Sequence, residues 1–215
     1  MPQSEEPVDE SEILIKAALH ILRVKGDAGF TVNDVLGEAG LRTRAFYRHF
    51  ASKDDLVIAA FAEGAKAEAI RLRRRMAHAA GPVPGVVAWI DARLELGFDQ
   101  RVAANLRPLS QEAERAHGRF PAHLRLSFDR MLAPLIEQLQ QGQLDDSFGD
   151  LSPAEDALAI HQVVWGVVEQ RWSGFPLRYR ETREQVLRFC LGGLGVDASV
   201  LHSAVLHNGD ARPKD

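Results

Sequence analysis

Apolar residues recur along this chain at intervals of three and four, almost never two, and that spacing predicts helices nearly throughout. Ile13, Ala17, Leu19, Ile21 and Leu22 give a broad apolar face to a helix over about 11–25, with Gly26 where a helix-ending glycine belongs. Thr31 caps a short helix whose buried stripe is Val32, Val35, Leu36 and Ala39, and Asp34 takes the capping-box position. Gly40 breaks that helix and Leu41 fills the turn. The next helix, about 42–49, turns Phe46 inward, and Phe50 closes the unit one turn later. Ser52 opens a long helix reaching about Met76, with Asp54 and Asp55 in its first turn, where the helix dipole favours negative charge.

After a break at Gly81 to Gly85, helices are expected over about 86–98, 102–116 (kinked or divided at Pro108) and 121–141. Ser152-Pro153-Ala154-Glu155 reads as a capping box with proline at the first helical position. Its helix carries Ala157, Ile160, His161, Val164, Trp165, Val168 and Trp172 at helical spacing. A second box, Thr182 to Gln185, opens the last main helix, with Val186, Leu187, Phe189, Cys190 and Leu194. Period-two alternation is missing, so no strand is expected and the fold class is all-α with about nine helices. Residues 1–9 and 206–215 read as disordered tails.

Composition changes this picture little. A hydrophobic share of 46% supports a sizeable core without staples, and the one cysteine, Cys190, excludes an internal disulfide and suits a reducing cytoplasm. The acidic start MPQSEEPVDE lacks the features of a secretory signal, and no stretch is apolar enough for a membrane span, so the expected location is cytoplasmic. No metal or cofactor is expected. His117 and His123 stand six apart with Gly118 and Pro121 between them, off any shared helical face. Gly192-Gly193-Leu194-Gly195 has no preceding strand and reads as a helix end, and no catalytic triad or phosphate loop emerges, so an enzyme is not expected.

Charge distribution matters more than the net value of -4. From Arg42 to Lys53 the chain carries Arg42, Arg44, Arg48, Lys53 and His49, and no acidic residue. A local cationic patch in an acidic protein suits specific docking to DNA more than general coating. A second basic run, Arg71-Leu72-Arg73-Arg74-Arg75, ends the long helix about 30 Å further along. It reads as a solvated face whose cations complement the helix C-terminus.

The segment TVNDVLGEAGLRTRAFYRHFASKDDL resembles the DNA-binding segment of the TetR family of bacterial regulators. The resemblance rests on Thr31, Ala39-Gly40-Leu41, Phe46-Tyr47-Arg48-His49-Phe50 and Ser52-Lys53-Asp54-Asp55-Leu56, and covers about 13–61. Where the family usually starts its recognition helix with Ser or Thr, this chain has Arg42, so the side-chain cap is lost and Arg42 is free to reach a phosphate or base. The candidate DNA-binding residues are Thr31, Arg42, Thr43, Arg44, Tyr47, Arg48, His49 and Lys53. Arg44 and Thr43 suit base edges, Tyr47, His49 and Lys53 suit phosphates, and Arg48 is as well explained by a solvated helix surface.

The resemblance implies a helix-turn-helix domain over 10–55 and a larger ligand-binding and dimerisation domain over 56–205. It implies a homodimer paired through the helices from Ser152 and Thr182, for which Val164, Trp165, Val168, Trp172, Val186 and Phe189 are candidates. It further implies a small-molecule effector in an apolar pocket, with Trp89, Leu94, Phe98, His123, Phe128, Met131 and Trp165 as candidate lining and His123 and Arg125 as candidates to orient a polar or acidic ligand. The expected function is a ligand-responsive repressor on a near-palindromic double-stranded operator, released by a small, largely apolar molecule. The alternative is a ligand-free architectural DNA-binding protein.

Overall fold

In a computed structural model, the residues described are 9–25, 30–104, 106–107 and 121–206, with the side chains of residues 121, 123, 124, 205 and 206 left aside. Among them no strand occurs, and nine helices have described bounds: α1 Glu10–Lys25, α2 Val32–Ala39, α3 Thr43–His49, α4 Lys53–Met76, α5 Pro82–Phe98, α6 Pro121–Leu144, α7 Pro153–Trp172, α8 Tyr179–Gly193 and α9 Ala198–Leu206. The expected helix end at Gly26, the kink at Pro108 and most of the helix expected over 102–116 lie outside the described residues, as does His117. No described helix is long and apolar enough to cross a membrane. The chain divides into two compact units, one spanning Met1–Ala67 with Ala104–Phe128 and the other Glu68–Ala103 with Asp129–Asp215.

In the first unit, α1 buries Leu14, Ala17, Ala18, Ile21 and Leu22, an i, i+3, i+4, i+7, i+8 stripe. The apolar face is thus rotated from the expected one: Ile13 and Leu19 are only half-buried, because Leu14 and Ala18 lie on the line that meets α2 and α3. Phe30, Val35, Leu36, Phe46, Phe50, Leu56 and Phe61 complete this core. Phe46 sits at its centre, fully buried, with ring contacts to Phe50 at 5.8 Å and to Tyr47 at 5.1 Å.

In the second unit, α5 is buried nearly all round, with Val86, Trp89, Ile90 and Leu94 fully enclosed by α7, α8 and their neighbours. Expected from Val86, this helix begins at Pro82, because proline in a first turn has no amide hydrogen to leave unpaired. α5 and α7 pack tightly at Gly97, where a Cβ would lie 3.2 Å from the Val168 Cα. Beside this contact the Trp172 indole N–H donates to the Leu96 carbonyl at 3.1 Å.

A cap, a further boundary and an added helix differ from expectation. Ser152 does not cap α7 through its hydroxyl; its amide N–H donates instead to the Asp156 carboxylate at 2.8 Å. Thr182 does not open α8, which starts three residues earlier at Tyr179, leaving Thr182 buried with its amide donating to the Arg178 carbonyl at 3.0 Å. The helix α9 was not expected; Asp197 starts it, accepting from the Ser199 amide at 2.8 Å.

Candidate nucleic-acid interface

The turn between α2 and α3 is fixed at both ends by local chemistry. Thr31 caps α2 by accepting from the Asp34 amide at 3.1 Å, as its position in the sequence requires. Lys25 and then Thr31 bond the Asp34 carboxylate, with Lys25 Nζ at 2.6 Å, and hold its pKa below the usual range. Gly40 ends the helix at φ 63, a left-handed conformation that a side chain would strain, and the Leu41 amide closes the turn onto the Leu36 carbonyl at 3.1 Å. After it, α3 starts at Thr43. Arg42 occupies the cap position in an extended conformation and makes no side-chain cap, as the substitution of arginine for a hydroxyl residue implied.

Helix α3 is two-faced. Ala45 and Phe46, with Phe50 behind them, are buried, and Arg42, Thr43, Arg44, Tyr47, Arg48 and His49 are all exposed. The aromatic Tyr47 is 64% exposed, which a residue serving the core would not be. Ser52 caps α4 by accepting from the Asp55 amide at 3.2 Å, so two helix N-termini, at Thr31 and Ser52, flank the exposed face. Lys53 is half-buried, its ammonium 4.9 Å from the Phe30 ring centroid.

One feature of this surface was not read from the sequence. Glu10, in the first turn of α1, places Oε2 3.2 Å from Arg48 Nη1 and 3.2 Å from His49 Nε2. Nothing local signals the pairing, since 39 positions separate Glu10 from His49.

The other basic run is engaged within the second unit. Arg71 pairs with Glu68 at 2.8 Å, Arg73 with Glu137 at 2.5 Å and Arg75 with Glu95 at 2.5 Å. Three of its four guanidiniums thus meet carboxylates, while Arg73, Arg74 and Arg75 stay exposed in the last turn of α4, on the solvated face the sequence implies.

The residues expected to line a pocket are dispersed in their surroundings. Trp89, Leu94 and Met131 are core residues of the second unit, and Phe98 packs on Tyr179 at 5.2 Å beneath the Arg171 guanidinium. Trp165 is half-buried and meets Trp172 edge to face at 5.3 Å. Phe128 and Arg125 are exposed, and the His123 side chain lies outside the described residues. Of the residues expected at a dimer face, Val164, Val168 and Val186 are buried by their own chain and Trp172 is half-buried. They face inward because their 3.6-residue stripe is the one α5 fills. Phe189 is 68% exposed, and Leu158 on α7 is 47% exposed.

Two buried charge clusters lie within the second unit, neither of them expected from the sequence. Arg183 Nε and Nη2 grip Asp91 at 2.6 and 3.0 Å, while burial raises the Asp91 pKa against that pull. Arg93 Nη1 reaches Glu68 at 2.9 Å; burial pushes the Glu68 pKa up, but Arg71 and Arg93 together outweigh it and hold it low. The available signal was the run Trp89-Ile90-Asp91-Ala92-Arg93-Leu94, where two charges interrupt an apolar helix.

Comparison with known proteins places this geometry. Residues 14–60 match the family model described as bacterial regulatory proteins, tetR family. The HTH-type transcriptional regulator CymR of Pseudomonas putida is 44% identical over 59 residues, a match covering 27% of this chain and 29% of CymR. Over nearly the whole chain the fold is that of several solved structures. Escherichia coli NemR, in its reduced form, superposes with a TM-score of 0.68 at 18% identity, over 88% of this chain and 100% of NemR. RolR in complex with resorcinol superposes with a TM-score of 0.66 at 13% identity, over 96% of this chain and 95% of RolR. The capped turn and the two-faced α3 agree with the family match over residues 14–60, so this segment is a DNA-binding segment of the tetR type, and the remainder of the chain shares the fold of those solved structures.

Proposed function

We propose that this chain is a ligand-responsive transcriptional repressor that works in the cytoplasm, binding a near-palindromic DNA operator as a homodimer and releasing it when a small molecule binds. The observation that carries the reading is α3, whose buried Phe46 side fixes an exposed face of Arg42, Thr43, Arg44, Tyr47, Arg48 and His49. Arg44 and Thr43 stand in the first turn, the part of a recognition helix that reaches base edges, and Arg44 suits a bidentate contact to guanine. Tyr47, His49 and Lys53 hold phosphates, helped by backbone N–H groups at the capped helix starts of Thr31 and Ser52. Arg42, released from capping, adds a phosphate or base contact, and Arg48, paired with Glu10, stays on the exposed face.

One seven-residue helix reads few base pairs, so two copies on a two-fold axis are required for a specific site. The face that suits this pairing is the stripe of exposed Leu158 and Gln162 and half-buried Gly166 on α7 with exposed Phe189 and Gly192 on α8. A Cβ added at Gly166 or Gly192 meets nothing within 4 Å, so these positions leave room for a second backbone to approach. The effector acts by population shift: binding in the second unit favours a dimer whose two α3 helices no longer match the groove spacing. A coupling of about 1–3 kcal/mol changes operator affinity roughly 5- to 150-fold. RolR was solved with resorcinol bound, which supports a small-molecule effector for this fold.

The test is selection of duplexes from a random pool by the purified protein, followed by anisotropy titrations at several salt concentrations. A two-fold-related consensus is expected. Arg44→Ala should relax preference at one symmetric base position by roughly 1–3 kcal/mol without flattening preference elsewhere. Failure to enrich any sequence would reject the reading.

A further inference from the structure

Between α5 and α7 four side chains form one layer. Trp89 and Arg93 stand one turn apart on α5, and His161 and Trp165 one turn apart on α7. Trp89 and His161 meet edge to face with centroids 6.3 Å apart, and His161 stacks on Trp165 at 6.0 Å. The Arg93 guanidinium lies 5.3 Å from the Trp165 ring centroid.

The layer holds more donors than acceptors. The Trp89 indole N–H and the Arg93 Nε are both buried and have no acceptor among the described residues. The Trp165 indole N–H uses Glu169, at 2.6 Å. Charge is unbalanced in the same direction. Glu68 accepts from Arg71 Nε and Nη2 at 2.8 Å each and from Arg93 Nη1 at 2.9 Å, so two guanidiniums share one carboxylate. The next carboxylates along α5 are engaged elsewhere. Glu95, which acts on Arg71 at longer range, is bonded by Arg75, and Asp91 is bonded by Arg183. A buried guanidinium with half a counter-ion, beside a buried N–H with no partner, is stable only if something else completes it.

We propose that this layer binds the effector and that the effector is a planar aromatic carboxylate. This rests on the regulator reading above only for its consequence at the operator, since the binding itself follows from the layer. The carboxylate accepts from Trp89 Nε1 and Arg93 Nε and cancels the surplus positive charge. The ring packs along the accessible part of Trp165, which is half-buried and otherwise meets His161, Arg93 and Trp172. Both features are needed: an inorganic anion matches the charge but leaves that part of Trp165 bare, and a neutral amide of the same shape meets the donors but leaves the charge.

The test uses the full chain, read by thermal shift and intrinsic tryptophan fluorescence, with benzoate, phenylacetate and cinnamate as probes. Benzamide and benzylamine serve as the neutral and cationic controls. At least one carboxylate should bind saturably, about tenfold or more tighter than benzamide, with benzylamine inert. Arg93→Met leaves Glu68 and Arg71 as a one-to-one pair. The variant should match or exceed the unliganded wild type in thermal midpoint while losing carboxylate protection. Trp89→Phe, which keeps the packing, should weaken carboxylate binding several-fold and gives a second readout if Arg93→Met does not fold. Absence of a saturable response to all three carboxylates would overturn the proposal, as would equal binding of benzamide or full carboxylate protection in both variants. Operator binding is measured in parallel. Carboxylate binding that leaves operator affinity unchanged upholds the site and overturns its effector role, and carboxylate binding by a protein that prefers no DNA sequence upholds the site and rejects the regulator.

Discussion

The imidazole of His161 provides a titration whose sign and size follow from its surroundings. It is buried between Trp89 and Trp165, and burial, aided by the charge of Arg93, lowers its pKa from 6.5 to about 4. Between those two values the unfolded chain binds a proton at this position and the folded chain does not. Stability therefore falls as pH drops from about 6.5 towards 4 and levels off below the folded pKa, for this group alone. One proton contributes about 1.36 kcal/mol per pH unit, so a shift of roughly 2.5 units amounts to on the order of 3 kcal/mol. His161→Phe keeps a ring of similar size against Trp89 and removes the titration. Urea unfolding of both proteins, followed by tryptophan fluorescence in steps from pH 7 to 4, gives the difference in unfolding free energy at each pH. Carboxylates that titrate in both proteins cancel in that difference, which should change by the stated amount in favour of the variant as pH falls. Parallel curves would refute the assignment of a neutral buried imidazole.

Three further outcomes are expected. Glu10→Gln removes the carboxylate that competes with phosphates for Arg48 and His49, so DNA affinity should rise up to about fivefold, most at low salt, by anisotropy; unchanged or weaker binding at low salt would show that Glu10 does not compete. Phe46→Ala should destabilise the first unit by about 3–5 kcal/mol and abolish operator binding, as read by calorimetry and anisotropy, and a loss below 1 kcal/mol would contradict its place at the core centre. Phe189→Glu should weaken self-association by about 2 kcal/mol or more, roughly thirtyfold, in sedimentation analysis, with helix content kept; an unaltered dimer would move the interface elsewhere.

What was legible in the sequence was what is decided within a few residues. The caps at Thr31 and Ser52, the glycine ending α2, the missing cap at Arg42 and the inward Phe46 each depend on neighbours no more than one turn away. The helix-turn-helix is made almost wholly of such terms. The departures from expectation arose where a local rule had a competitor. At Ser152 the Asp156 carboxylate took the amide that a capping box would have assigned to Glu155. At Thr182 burial of the residue against the second core overrode its use as a cap, and α8 extended back to Tyr179.

The charge pairings were beyond such reading, and for a reason that bears on function. Net charge and basic runs count side chains by position along the chain, whereas a field depends on which carboxylate reaches which cation. Glu10 lowers the charge that α3 presents, although every residue from Arg42 to Lys53 is basic or neutral. At Arg93 the effect is opposite. Asp91, Glu95 and Glu68 give the region of α5 enough carboxylates to look neutral, yet Arg183 and Arg75 occupy two of them and Arg71 shares the third. The charge left over is small on the scale of the whole protein. Because it is buried in a medium of low dielectric, beside an indole N–H with no acceptor, it outweighs larger surface clusters in selecting what binds. A surface arginine among water and salt discriminates weakly between an acid and its amide, whereas Arg93 meets its ligand where neither screening nor competing water is available, and that difference makes it the residue whose loss should erase the preference.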